Sequence, residues 1–232
     1  MVLLGRSQEA LHRLASELKG AGSQAHAFAI DLAAPDSGER VENELSQLGV
    51  YCEVLVNCAG FGVLGPAADV DREVQLGLID VNIRALTDLT LRFVPRMIAR
   101  RRGGVLNVGS IAGSVPGPNM AVYFASKAYV RSFTAALGAE LAGTGVRVTC
   151  LIPGIVRTAF FERRAVGRTR LTKLLPRSNA HDVAEAGWRA FRAGKRSVIP
   201  GLGNRIILAV ASLIPNSVLL RWISALQQRP AS

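Results

Sequence analysis

The chain has 232 residues, of which 49% are apolar and 23 are glycine, enough for one α/β domain with an ample core. Its net charge of +11 comes from 28 basic residues, 24 of them arginine, and bears on solubility and partners rather than on fold. Three cysteines at no metal-ligand spacing, basic clusters without interleaved aromatics, and no apolar run of the ~20 residues a bilayer needs argue against a disulfide scaffold, a metal site, a nucleic-acid-binding protein and a membrane span.

Strand and helix patterns alternate along the chain. Val2 to Gly5 reads as a strand, and Ser7 to Ala21 as a helix with Leu11, Leu14 and Leu18 on one face. Ala25 to Ile30 is a strand ending at Asp31, and Ser37 to Leu48 a helix that turns Val41, Leu45 and Leu48 inward. Val54 to Val56 is a buried strand, followed by a long helix from about Glu73 to Arg101. Gly104 to Val108, Ala121 to Ala142 and Val146 to Ile152 read as strand, helix and strand. Strands separated by helices of ten to twenty residues point to βαβ units and a parallel sheet, and the apolar runs suit strands covered on both faces.

After Pro153-Gly154 the pattern loosens. Ile155 to Asn179 is irregular and rich in arginine, which suits a loop over a cleft, with Phe160 and Phe161 as apolar lining. Ala180 to Ala193 is helical and Ser197 to Ile199 is a last strand. The tail holds two apolar pieces, Ile206 to Ile214 and Val218 to Leu226, separated by Pro215-Asn216. Core packing or a subunit interface explains them. The alternative is a pair of interfacial helices that touch a membrane through residues 205–226, with Arg205, Arg221 and Trp222 at the headgroups.

One constellation carries chemistry. Tyr123 and Lys127 stand one helical turn apart, and Ser110 closes the strand Val105 to Gly109 thirteen positions before Tyr123. An ammonium beside a phenol favours the tyrosinate, which would bring the tyrosine towards the range of a general acid near neutral pH. By contrast, Gly60-Phe61-Gly62-Val63-Leu64-Gly65 fits a dinucleotide fingerprint only formally. Pro66 follows it and no helix begins at once, so no helix N-terminus is aimed at a pyrophosphate. Cys58 and Cys150 lie in or beside apolar strands, so buried free thiols are expected, and with them a reducing compartment.

Together these residues resemble the short-chain dehydrogenase/reductase family over residues 1 to about 200. Asn57-Cys58-Ala59-Gly60 is similar to the family's N-N-A-G element, with Cys in the second place. Asp80-Val81-Asn82 resembles the segment with the catalytic asparagine, Pro153-Gly154-Ile155-Val156-Arg157-Thr158 the P-G-x-V-x-T element, and Asp31-Leu32 the adenine-contacting pair. The resemblance implies an α/β, Rossmann-like doubly wound parallel sheet and hydride transfer between a nicotinamide cofactor and a small carbonyl or alcohol. It implies Tyr123 as proton donor, Lys127 as partner of Tyr123 and of the nicotinamide ribose, Ser110 as oxyanion donor and Asn82 as holder of a relay water. Asn57, Ala59, Gly60, Pro153, Gly154, Ile155, Val156 and Thr158 would join Tyr123, Lys127, Asp31 and Leu32 in binding the cofactor. Gly5, not an acid, ends the first visible strand and Arg6 follows, which favours a 2′-phosphate and hence NADP over NAD.

The family's opening strand and T-G-x-x-x-G-x-G turn do not precede Val2, so the fold is expected to be N-terminally truncated. On this reading residues 1–203 form the dehydrogenase domain and 204–232 an apolar helical tail. A homodimer or homotetramer follows from the resemblance, a cytoplasmic location from the free thiols, and no nucleic acid and no metal from the missing motifs and the cysteine spacing. The alternative function is a non-catalytic binding or scaffold module on the same fold, acting at a membrane surface.

Overall fold

A computed structural model describes residues 1–158 and 177–227 together with Thr169 and Leu175, apart from the side chain of Asn216. The chain divides into two compact units, Met1–Cys52 and Glu53–Ser232.

In the first unit, β1 (Val2–Gly5) pairs in parallel with β2 (His26–Ala29), Leu3 opposite Ala27 and Gly5 opposite Ala29. Between them runs α1 (Gln8–Gly20), whose N-terminus is capped by Ser7 accepting from the Ala10 amide. Ala15 is its buried residue, flanked by half-buried Leu11 and Leu18. Leu14 is exposed, contrary to the expected face, because the inward stripe runs through positions 11, 15 and 18. Then α2 (Ser37–Gln47) buries Val41.

The second unit is built on a four-stranded all-parallel sheet. Its strands are β3 (Val54–Asn57), β4 (Gly103–Val108), β5 (Val146–Leu151) and, after two short strands, β8 (Ser197–Val198), in the spatial order β3-β4-β5-β8. The short strands, β6 (Ile155–Val156) and β7 (Arg177–Ser178), pair with each other in parallel and give order to both ends of a segment expected to be irregular. Leu106, Leu151, Val183 and Phe191 form a buried cluster over the sheet. Val56, read as buried from the apolar run, is 50% exposed: side chains alternate across a strand, and Leu55 and Asn57 take the covered face.

The long helix expected from Glu73 to Arg101 is present but broken in register. It consists of α3 (Arg72–Ile79), a π-helical turn at Asp80–Ala85, and α4 (Leu86–Ala99). A π-helical turn widens the helix by one residue per turn and commonly marks a functional position; here it contains Asn82. A 3₁₀ turn (Ile111–Ser114) leads from β4 to α5 (Ala121–Glu140). The chain continues through α6 (Ala180–Arg192), α7 (Leu202–Ala211) and α8 (Asn216–Gln227). Among the described residues, no helix is long and apolar enough to cross a membrane.

Candidate active site

In parallel α/β sheets, ligands bind beyond the carboxyl ends of the strands. The sequence motifs fall there. Asn57, Asn107 and Cys150 occupy one register row across β3, β4 and β5, so the segments after each strand emerge side by side. The backbone stays zipped past the strands, with the Gly109 amide donating to Leu151 O (2.8 Å) and the Ile111 amide to Pro153 O (3.0 Å).

The row is locked by a buried polar ladder. The Asn57 amide donates to Thr90 Oγ1 (3.1 Å) and to Asn107 Oδ1 (2.8 Å), and Asn107 donates to Thr134 Oγ1 (3.0 Å). Thr134 also hydrogen-bonds the Cys150 thiol. These groups tie α4, β3, β4, β5 and α5 together, and burial without such partners would cost each of them free energy. Asn57 was expected to bind a cofactor. Both its side-chain N–H groups serve the ladder, so what it offers a ligand lies elsewhere on the residue.

Ser110 stands two residues beyond β4, in extended conformation and almost fully buried. Its hydroxyl caps the 3₁₀ turn by accepting from the Ala112 amide (3.1 Å), and it also hydrogen-bonds the Tyr123 phenol. The ring of Tyr123 packs against a cluster of Leu64, Met120 and Phe124. Lys127, one turn further along α5, is 7% exposed and donates to Val108 O at 2.9 Å. Its Nζ lies 6.0 Å from the Tyr123 ring centroid. Gly113 makes this arrangement possible, because a β-carbon there would stand 2.4 Å from the Lys127 carbonyl oxygen, a backbone atom that cannot yield. The serine, tyrosine and lysine are thus brought together as expected.

The electrostatics differ from the expectation. Tyr123 is not lowered towards neutrality. Burial pushes its phenol up to about 12, with the Ser110 hydrogen bond working in the opposite direction. Lys127 is itself lowered to about 8 by burial, against the nearby Cys58 and Cys150 thiols, which favour its charge. The reason is desolvation: each group is taken out of water, and the neutral form of each is favoured. Of the thiols, Cys150 is buried, whereas Cys58 is exposed and not buried as its neighbours suggested.

Asn82 is 1% exposed and spends its amide on the loop after β3. It donates to Phe61 O (3.0 Å), accepts from the Phe61 amide (3.1 Å), and donates to Ser126 Oγ (3.0 Å), which in turn donates to Tyr123 O (2.7 Å). A side chain at Gly60 would place its first carbon 3.0 Å from Asn82 Oδ1 and 3.5 Å from Lys127 Nζ. Gly60 therefore leaves open a small space bordered by both groups, beside Ala59 on the exposed surface.

On the far side, Pro153 is buried and Gly154 is pressed against Asn204 of α7: a β-carbon at Gly154 would meet the Asn204 amide oxygen at 2.3 Å. Asn204 donates to Pro200 O (2.7 Å), while its buried Oδ1 has no hydrogen-bond partner among the described residues. Ile155 and Val156 are fixed in β6, and Thr158 is exposed. Phe160 and Phe161 lie outside the described residues.

In the first unit, Arg6 and Asp31 both follow the carboxyl ends of the paired strands β1 and β2, where the Ile30 amide donates to Gly5 O (2.8 Å). Arg6 is exposed. The Asp31 carboxylate accepts from the Ala33 amide (3.0 Å), and Leu32 O accepts from the Ser37 hydroxyl (3.2 Å), which shapes the turn that follows β2.

The sequence reading missed Thr90, Asn107, Ser126, Thr134 and Asn204. Asn107 carried a signal, an amide inside an apolar strand; Asn204 carried none beyond being the one amide in α7.

Comparison with known proteins agrees with this geometry. The family described as short chain dehydrogenase matches residues 1–168. Sulfoacetaldehyde reductase 2 of Chromohalobacter salexigens is 37% identical over 191 residues, spanning 80% of this chain and 75% of its own. The NADP-dependent 3-hydroxy acid dehydrogenase YdfG of Salmonella typhi is 34% identical over 198 residues, 81% of this chain and 77% of its own. Among solved structures, a short-chain dehydrogenase from Sphingobium yanoikuyae in complex with NADPH superposes with a TM-score of 0.79 at 26% identity, covering 100% of this chain and 88% of that one. The chain therefore belongs to the short chain dehydrogenase family, an NAD(P)-dependent oxidoreductase with an α/β Rossmann-like fold of parallel strands.

Proposed function

We propose that the protein reduces a small carbonyl compound with NADPH, and that Ser110, Tyr123, Lys127 and Asn82 carry the proton transfer. The observation that supports this reading is the Ser110–Tyr123 hydrogen bond with Lys127 one helical turn further along α5. Burial favours the protonated phenol, and a protonated phenol is the form a reduction consumes. Ser110, already bonded to the same hydroxyl, is placed to donate to the oxygen on which charge develops. A bound nicotinamide would supply the hydride.

The chain's residues suit such a cofactor. Gly60 keeps side-chain atoms out of the space beside Lys127 Nζ and Asn82 Oδ1, so that backbone or a small group can approach. Lys127 has N–H groups beyond the one given to Val108, for a ribose. Both side-chain N–H groups of Asn82 are in use, so a relay water there would have to donate to an Asn82 oxygen. By the family resemblance Asn57, Ala59, Gly60, Pro153, Gly154, Ile155, Val156 and Thr158 would supply further cofactor contacts, and Asp31 and Leu32 those to the adenine. Arg6, with no acid at Gly5, favours the 2′-phosphate of NADP. The relative named NADP-dependent and the neighbour solved with NADPH support that preference. We further take the protein to be a cytoplasmic homo-oligomer.

The test is NADPH titration of the full chain, followed by turnover of a panel of aldehydes and ketones that includes sulfoacetaldehyde. Binding with turnover supports the reading. Binding without turnover of any carbonyl or alcohol would favour a non-catalytic binding module.

A further inference from the structure

The described C-terminal segment from Leu202 onward presents an unusual surface. Leu202, Ile206, Val210 and Leu213 recur at intervals of four, four and three residues, which places them on one stripe of α7 and its C-terminal turn. All are exposed, from 52% at Val210 to 84% at Leu213. On α8, Leu219 and Ile223 are buried, whereas Val218 and Trp222, also one turn apart, are exposed. A surface helix normally turns polar side chains outward. Here α8 buries Leu219 and Ile223 and α7 half-buries Ile207, Leu208 and Ala211, while both helices expose a second apolar stripe, and a contiguous exposed apolar patch marks a surface that meets something.

The charge around the patch selects what it meets. From Ala186 to the last residue there are seven basic side chains and no acidic one. Arg205 and Arg221 are exposed on the same two helices. A second copy applied to this face by two-fold symmetry would bring the like-charged arginines of the two copies together with no acidic partner on these helices. An anionic bilayer surface offers the opposite charge and an apolar layer beneath it. With 10 and 12 residues, α7 and α8 are too short for a ~30 Å hydrocarbon core, so they would lie within the interface, where a tryptophan ring is at home.

We infer that the outer face of α7 and α8 is a docking surface for anionic lipid membranes, held by Leu202, Ile206, Val210, Leu213 and Trp222 inserted among the acyl chains and by Arg205 and Arg221 at the headgroups. The inference is independent of the catalytic reading. It nevertheless places the membrane beside the site, because α7 packs on the 3₁₀ turn that follows Ser110 and carries the Asn204 that presses on Gly154.

The test is flotation of the full chain with phosphatidylcholine vesicles and with vesicles in which about one third of the lipid is phosphatidylglycerol, the anionic fraction supplying the surface potential. The protein should float with the anionic vesicles at least ~10-fold more than with the neutral ones, and less at high salt. Ile206→Asp with Leu213→Asp should abolish flotation, while Leu91→Asp, a change at an exposed leucine on α4, should not. Melting temperatures of the variants guard against misfolding, since every altered side chain is exposed. In a Trp188→Phe background, which leaves Trp222 as the sole tryptophan, brominated lipids should quench emission. Absence of wild-type flotation with both vesicles, or flotation unaffected by the paired aspartates, overturns the inference. So does a dimer in sedimentation velocity that the same aspartates split, because a second copy would then own the face.

Discussion

Lys127 donates its ammonium to the carbonyl of Val108, the last residue of β4, at 2.9 Å. The bond holds a cation in a buried place, and burial lowers the lysine to about 8. From about pH 8 to 10.5 the unfolded chain keeps a proton here that the folded chain has released, so this group makes stability rise with pH across that window. Below it both states are protonated and the buried charge weighs fully against the fold. Tyr123, raised to about 12, and Cys52, raised to about 11, act oppositely, since their folded forms keep protons that the unfolded chain gives up. The difference between wild type and Lys127→Met isolates the lysine. In urea unfolding at pH 7 to 10, that difference should shift steadily in favour of the wild type; a flat difference would refute the assignment.

Tyr123→Phe removes the hydroxyl that Ser110 holds and leaves the ring in its apolar cluster. Turnover should fall by ~10²–10⁴-fold, the usual worth of a positioned proton donor. NADPH affinity and melting temperature should change little. Steady-state kinetics beside a binding titration separates the two, and a loss of less than tenfold would remove Tyr123 from the proposed role.

Asn82→Ala breaks three hydrogen bonds at once, two of them to the half-buried backbone of Phe61. At ~1 kcal/mol for each bond, more where a buried partner is left unpaired, the chain should lose about 2–4 kcal/mol in denaturant unfolding. The loop that carries Gly60 would loosen with it, so kcat should drop as well.

Gly154→Ala should drive a methyl group into the Asn204 amide. Overpacking of this kind costs about 1–3 kcal/mol. Asn204→Ala removes the obstacle, so the double variant should be more stable than Gly154→Ala alone. Thermal unfolding of the four chains decides it, and simple additivity would count against the contact.

Much of this was legible in the sequence because it depends on local rules. The alternation of apolar runs and helical periods gave the strand and helix order, and the four-residue spacing put Tyr123 and Lys127 on one helix face. What was not legible depends on neighbours distant in sequence. The row Asn57, Asn107, Cys150 exists only once the register is set. The helix from Arg72 to Ala99 reads as continuous because a π-helical turn leaves no mark in a 3.6-residue pattern. The pKa of Tyr123 was misjudged for the same reason: a cation was visible at i+4, but the depth of both side chains was not.

Arg6→Ala tests the cofactor choice. An arginine paired with phosphate is a charge-assisted contact worth ~1.5–3 kcal/mol, so affinity for NADPH should weaken by about 10- to 100-fold. Affinity for NADH should stay within about twofold, because NADH lacks the phosphate. Paired titrations with the two cofactors give the answer, and equal weakening of both would speak against a 2′-phosphate contact.

The close approach of Gly113 to the Lys127 backbone fastens the turn after β4 onto the helix that follows it. Ser110, Tyr123 and Lys127 therefore ride on one strand–turn–helix segment, spaced by its own packing. Under the proposed roles, chemistry and substrate choice would be separable: changes in the segments after Pro153 or on the face of α7 and α8 would leave the spacing of the trio intact.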